Sequence, residues 1–233
     1  MNVQLLDPAS HKRLRISVRS TSDSFGNKGF AELVTTEFVS AAAQHPLFFT
    51  KSEETGRFIV GMLHHLENWE GETGPDAPSE AGYLPFSVQR AGFYIVGEHL
   101  GVDLAHPGLS LTEGRRLFGD DGQATDDLKA IQRAVSGLKR GRAETDAFID
   151  ALLRHRLLEP IDISLRFDDG ERLSLAGLYT VSLDAVRDLP DDSAIQLFRA
   201  GYLQLAYCMA GSLAQLTLLA QRRNARSLTG APA

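Results

Sequence analysis

Strict alternation of apolar and polar residues over Ile161-Asp162-Ile163-Ser164-Leu165-Arg166-Phe167 is the clearest periodic signal in the chain. Successive side chains on a strand point to opposite faces, so this run predicts a half-buried strand. Asp168-Asp169-Gly170 supplies a turn and Arg172-Leu173-Ser174-Leu175 the return, which together make a hairpin. Leu47-Phe48-Phe49-Thr50 and residues 57–63, separated by the polar stretch 51–56, predict a second hairpin. Leu14-Arg15-Ile16-Ser17-Val18 alternates as a strand does, and Phe93-Tyr94-Ile95-Val96 has the aromatic and β-branched content of a buried strand. Residues 97–113 read as irregular, and Leu117-Phe118-Gly119-Asp120-Asp121-Gly122 as a strand end entering a turn.

Elsewhere the period lengthens. Leu128, Ile131, Val135 and Leu138 recur at three- and four-residue steps behind Thr125, a capping residue, and Phe148, Leu152 and Leu153 resume the pattern beyond Gly141. This predicts two helices or one broken helix, stopped at Glu159-Pro160. Asp7-Pro8 starts a short helix, because an aspartate accepts from free N–H groups and proline fits the first helical position. Thr35 or Thr36 caps another through the alanines 41–43, which Pro46 ends. Ser182 or Asp184 opens a short helix, and Pro190-Asp191-Asp192-Ser193 a long one reaching about Arg223. Residues 20–29 and 71–82 are rich in small, polar or glycine and proline residues and read as loops. The expected fold is α+β: an antiparallel sheet with hairpins packed against several helices, including a long C-terminal helix. No repeat or linker divides the chain, so a single domain is expected over 1–226, with a flexible tail at 227–233.

Composition narrows the function. Of 233 residues, 43% are hydrophobic and 23% charged, which suits a packed core. A formal net charge of −6 argues against nucleic acid, whose binders carry a basic stripe. The basic groups Lys139-Arg140-x-Arg142 and Arg222-Arg223-x-x-Arg226 read as solvated helix ends. Cys208 is the single cysteine, so no disulfide forms within the chain; it sits in an apolar run and reads as a small buried hydrophobe. The first residues have neither the charged region nor the apolar core of a signal peptide, and a cytoplasmic location is expected. Residues 201–220 carry no charged side chain over a length that could span a bilayer, but Gln204, Ser212, Gln215 and Thr217 dilute the run. It reads as a buried core helix, with no membrane span.

No phosphate loop, dinucleotide fingerprint, Gly-x-Ser-x-Gly elbow or His-Glu-x-x-His zinc helix occurs, and no cofactor is expected. His64 and His65 are neighbours and so face opposite ways on a strand; His99, Asp103 and His106 lie close together in a loop-like region where a metal could use them, but match no known ligand spacing. The pairs Asp120-Asp121, Asp126-Asp127, Asp168-Asp169 and Asp191-Asp192 fall at turns and helix starts, where aspartate is locally favoured, and none fits a calcium loop. The candidate ligand-binding group is Glu67, Asn68 and Trp69, with Tyr83 and Arg90 following the glycine-rich loop, as on the rim of a pocket. Core packing of Trp69 is the competing explanation.

The order of these pieces resembles the SapC family. The resemblance is carried by Thr36-Glu37-Phe38 with residues 41–46 and Leu47-Phe48-Phe49, then Glu67-Asn68, Tyr83-x-Pro85 and Leu117-Phe118-x-x-Asp121-Gly122. It continues through Leu157-Leu158-Glu159-Pro160, the hairpin at Asp169-Gly170, Leu178-Tyr179-x-Val181 and the terminal helix, covering nearly the whole chain. Where that family carries an arginine-rich run, this chain has Gln89-Arg90-Ala91-Gly92-Phe93. The resemblance implies a bacterial protein associated with surface-layer genes, found near outer-membrane receptors, flavin-dependent halogenase-like proteins and cupin-like oxygenases. The expected function is therefore a non-catalytic cytoplasmic accessory protein that recognises a peptide or protein, with a halogenase-like or cupin-like protein as one such partner. Two other readings stand beside it: a metal-dependent enzyme or oxidoreductase partner using His99, Asp103 or His106, and a structural homo-oligomer paired through the uncharged terminal helix.

Overall fold

The computed structural model describes residues 3–16, 29–64, 66 and 82–229, with side chains as far as residue 225. It shows the α+β class, with every strand among the described residues pairing antiparallel. The chain divides into two compact units, residues 1–26 with 70–140, and residues 27–69 with 141–233.

The first unit holds two small sheets. Strand β1 (Val3–Leu5) pairs with β7 (His99–Asp103), which pairs with β6 (Phe93–Val96). Gly97, at φ +64°, turns the β6–β7 hairpin, so the run expected to be irregular carries a strand. Helix α1 (Pro8–His11) forms where the sequence places it: the Asp7 carboxylate accepts from the N–H groups of Ala9 and Ser10. Strand β2 (Arg15–Ile16) then lies between β8 (Leu109–Ser110) and β9 (Arg115–Arg116). Helix α4 (Asp126–Arg154) contributes residues 126–140 here. Its Leu128, Ile131 and Val135 pack with Leu14, Phe93, Val102, Leu117 and Phe118, as the helical spacing predicts. Of β6, only Phe93 is buried; Ile95 and Val96, at the end of the strand beside the Gly97 turn, are exposed.

In the second unit the sheet order is β10 (Leu158–Arg166), β11 (Arg172–Val181), β4 (Leu47–Lys51), β5 (Phe58–Leu63) and β3 (Phe30–Glu32). Both predicted hairpins are present. Phe48 and Phe49 point to opposite faces and both are fully buried, so the sheet is covered on each side. Phe48 joins Leu63, Ile163, Phe167 and Leu219. Phe49 meets Phe148 at 6.1 Å between ring centroids, and Phe148 also meets Phe38 at 5.8 Å and Tyr202 at 5.5 Å. A 3-10 turn at Thr35–Glu37 leads into helix α2 (Phe38–Ala42). Neither threonine caps it by side chain: Glu37 reaches back to the Val34 N–H, and the Thr35 N–H bonds Thr145 Oγ1 at 3.0 Å.

Three further elements differ from their sequence reading, each for a local reason. Helix α4 is continuous through Gly141; a Cβ there would lie 2.6 Å from the Val34 Cβ, so the glycine permits close packing and does not break the helix. Arg142 is thereby mid-helix, paired with Glu32 and Asp146, and not at a solvated end. Pro160 does not stop the helix, which ends at Arg154 before Arg156 at φ +55°; it sits within β10, at the edge of the sheet, where a missing N–H is tolerated. The C-terminal helical stretch is divided into α6 (Asp191–Arg199), α7 (Tyr202–Ser212) and α8 (Gln215–Thr229) by Gly201 at φ +76° and by a turn at Leu213–Ala214. The short helix α5 (Leu183–Arg187) precedes them, capped by Ser182.

The stretch Tyr202–Ala225 is long and apolar enough to cross a membrane by length and composition, with a window of mean hydropathy 1.3, and only 22% of that window is buried in the fold. It is not the fully buried core helix expected. Ala206, Met209, Ser212 and Leu219 face inward, while Tyr207 and Leu218 are exposed. Ser212 joins helix to sheet, accepting from the Leu47 N–H at 2.8 Å and donating to the Met209 carbonyl at 2.6 Å. Cys208 is half-buried, and burial raises its thiol pKa, which keeps it out of the reactive thiolate form. At the far end Arg223 is no free helix terminus either. It pairs with Asp169 and Glu171 and lies 4.1 Å over the Phe167 ring, clasping the turn of the β10–β11 hairpin. The Asp169 carboxyl is held below its usual range first by the Glu171 N–H and also by Arg223.

Candidate functional site

Helix α3 (Phe86–Gln89) follows the extended Pro85, and Arg90 caps its C-terminus. The Arg90 guanidinium donates to the Phe93 carbonyl at 3.2 Å and lies 4.4 Å over the Tyr94 ring, a cation–π contact that fixes it against β6. Tyr83 is half-buried just ahead of Pro85. Glu67, Asn68 and Trp69, the remainder of the predicted binding group, lie outside the described residues, as does His65. His64 stacks on buried His45 with ring centroids 5.1 Å apart. His99 and Asp103 stand at opposite ends of β7, and the Asp103 carboxylate accepts from Ala105 N–H while His106 Nδ1 accepts from Gly108 N–H. Among the described residues no three His, Cys, Asp or Glu side chains gather as metal ligands do.

A polar concavity lies elsewhere in the first unit. A groove of about 410 Å³ is lined by Lys12, Arg13, Arg15 and Arg116, with Asp120 the carboxylate among them, and by Leu111, Thr112, Phe118 and Gly119. Local chemistry builds it in three steps. The Asp7 cap and buried Leu14 fix the end of α1 so that Lys12 and Arg13 are exposed. Strand β2 pairs on both sides, and its register sets Arg15 opposite Ser110 on one neighbour and opposite Arg116 on the other. The turn after β9 is closed by Gly119 N–H to the Gln123 carbonyl and by Gln123 N–H to the Asp121 carboxylate, with Gly122 at φ +76°, and it presents Asp120.

Three of the cations are oriented by the fold. Lys12 donates to the Asp120 carbonyl at 2.9 Å, Arg15 to the Gly114 carbonyl at 3.0 Å, and Arg116 to the Asp120 carboxylate at 2.7 Å. The adjacent Arg115 is engaged by Asp127 at 2.8 Å. A concentration of cations in a protein of net charge −6 reverses the field locally and favours an anion. Sequence reasoning passed over this groove because it weighed basic residues as contiguous clusters. The signal was split between Lys12-Arg13-x-Arg15 and Arg116, which the β2–β9 register and the Lys12 bond to the Asp120 carbonyl bring together. A smaller cleft of about 190 Å³ in the second unit lies between Phe58, Ile149 and Leu153, with Arg57, Asp146 and Asp150 at its mouth.

The chain matches the family model described as SapC over residues 6–219. No curated protein and no solved structure matches it.

Proposed function

This chain belongs to the SapC family, and from that premise we propose that it is a non-catalytic accessory protein of the cytoplasm that recognises a peptide segment of a protein partner. The observation that supports the reading is the open groove in which Lys12, Arg13, Arg15 and Arg116 converge, Lys12 and Arg15 already oriented by bonds to backbone carbonyls. Groups fixed before binding lose less entropy when a partner arrives. Charge reversal tests it. With the tagged protein at endogenous level, Arg13→Glu/Arg116→Glu is expected to abolish co-purification of stoichiometric partners while leaving the circular dichroism spectrum unchanged, because both side chains are exposed. Undiminished recovery of the same partners would remove the groove from the function. The partners recovered from the wild type also test the expectation of a halogenase-like or cupin-like oxygenase.

A second reading, a homo-oligomer, is favoured by a different observation. Phe198 is 72% exposed and Ile195 47% exposed, three residues apart on α6, and Tyr207 is 55% exposed on α7. Large apolar side chains left in water mark interaction surfaces. Tyr207 lies within residues 201–220, which are free of charge, so a second copy meets that part of the surface without like charges opposed. Sedimentation at micromolar concentration should then show a dimer that Phe198→Asp dissociates; a monomer in both forms discards this reading.

A further inference from the structure

Resting on the reading of the groove as a binding surface, we infer that its occupant is an acidic linear peptide, and that Asp120 is an internal stand-in whose carboxylate the peptide replaces at Arg116. The register is the first reason. Arg15 and Arg116 face each other directly across an antiparallel pair, an arrangement of like charges that destabilises a sheet. A local rule broken in this way is expected where an anion offsets it in the working complex.

The second reason is the pair already present. Arg116 holds the Asp120 carboxylate at 2.7 Å, with that side chain 90% exposed, so the fold shows a carboxylate docked where the inference places the ligand's. Exposed ion pairs of this kind are weak and exchange readily. The third reason is what the groove lacks for a nucleic acid. Phe118, the aromatic residue in its lining, is 4% exposed and offers no face on which a base could stack. Leu111, 61% exposed, and Thr112 instead give a peptide an apolar contact and a hydroxyl partner.

The test is fluorescence anisotropy on the full chain, with a labelled peptide of repeating Glu-Ser-Gly and its Gln-Ser-Gly counterpart. The acidic peptide is expected to bind and to weaken as salt rises, and the glutamine peptide not to bind. Arg13→Gln and Arg116→Gln should each weaken binding about five- to tenfold, as loss of a charge-assisted bond does. Asp120→Asn removes the competing carboxylate and should tighten binding about two- to fivefold, the scale of an exposed ion pair. Equal binding of the glutamine peptide, displacement of the acidic peptide by oligo-dT of matched charge, or no tightening by Asp120→Asn would each overturn the inference. If the acidic peptide fails to bind while the charge-reversed groove still loses its protein partner, this inference falls and the peptide-recognition reading stands; if neither effect appears, both fall.

Discussion

Phe148→Ala is expected to lower the unfolding free energy by about 3–5 kcal/mol, the range for truncating a fully buried aromatic side chain. Phe148 is inaccessible to solvent, and its ring touches Phe38 of α2, Phe49 of β4 and Tyr202 of α7. Three elements from separate parts of the sequence therefore meet on one side chain. Each partner is anchored elsewhere: α2 at its C-terminal end by Gln215, which donates to the Ala43 carbonyl, β4 by its ladder to β5, and α7 by Ser212 at Leu47. The cavity left by truncation cannot be closed by moving any one of them, so its cost adds to the lost burial. Urea denaturation followed by circular dichroism measures the change directly. A loss below about 1.5 kcal/mol would mean that the cluster collapses around the gap, contrary to the anchoring described.

Gly61→Ala is the second large effect, and it acts by adding a methyl group. Gly61 lies in β5 between Phe48 of β4 and Glu32 of β3 in the sheet register. A Cβ at this position would stand 2.3 Å from the Ala31 carbonyl oxygen and 2.6 Å from the Phe30 ring. A flexible side chain could swing away, but the carbonyl belongs to the backbone of a paired strand. The expected loss is about 3 kcal/mol, the upper end for overpacking, read as a lowered denaturation midpoint with an unchanged slope. An alanine variant as stable as the parent would show that β3 shifts freely, and the close approach would then hold nothing in register.

The two hairpins were legible in the sequence because a period of two needs no tertiary information, and the Leu128, Ile131, Val135 face of α4 was legible for the corresponding helical reason. Gly141 and Pro160 misled for a shared cause: their local preferences oppose helix and sheet, whereas tertiary placement, against Val34 and on a sheet edge, gives each a role. Strands β1 and β3, each three residues long, are too short for any periodicity to announce. The cationic groove was hidden for a different reason. Its residues come from positions 12–15 and 111–120, and they are joined by the pairing of a two-residue strand, β2, and by contacts such as Lys12 to the Asp120 carbonyl, none of which leaves a periodic signal. The predicted group at Tyr83 and Arg90 was read from residue types alone, and the structure shows Arg90 engaged by Phe93 and Tyr94.

The proline in β10 has a further consequence, for behaviour in a crowded solution. An edge strand of nine residues offers unpaired backbone groups to any other strand that approaches. Here Pro160 removes a donor, the register shifts between Ile161 and Ile163, and Glu159, Asp162 and Arg166 set charges along the same strand. Each feature discourages a foreign strand from extending the sheet. Together they act as gatekeepers against aggregation, at the longer described edge of the five-stranded sheet, where edge-to-edge growth into fibrils would otherwise begin.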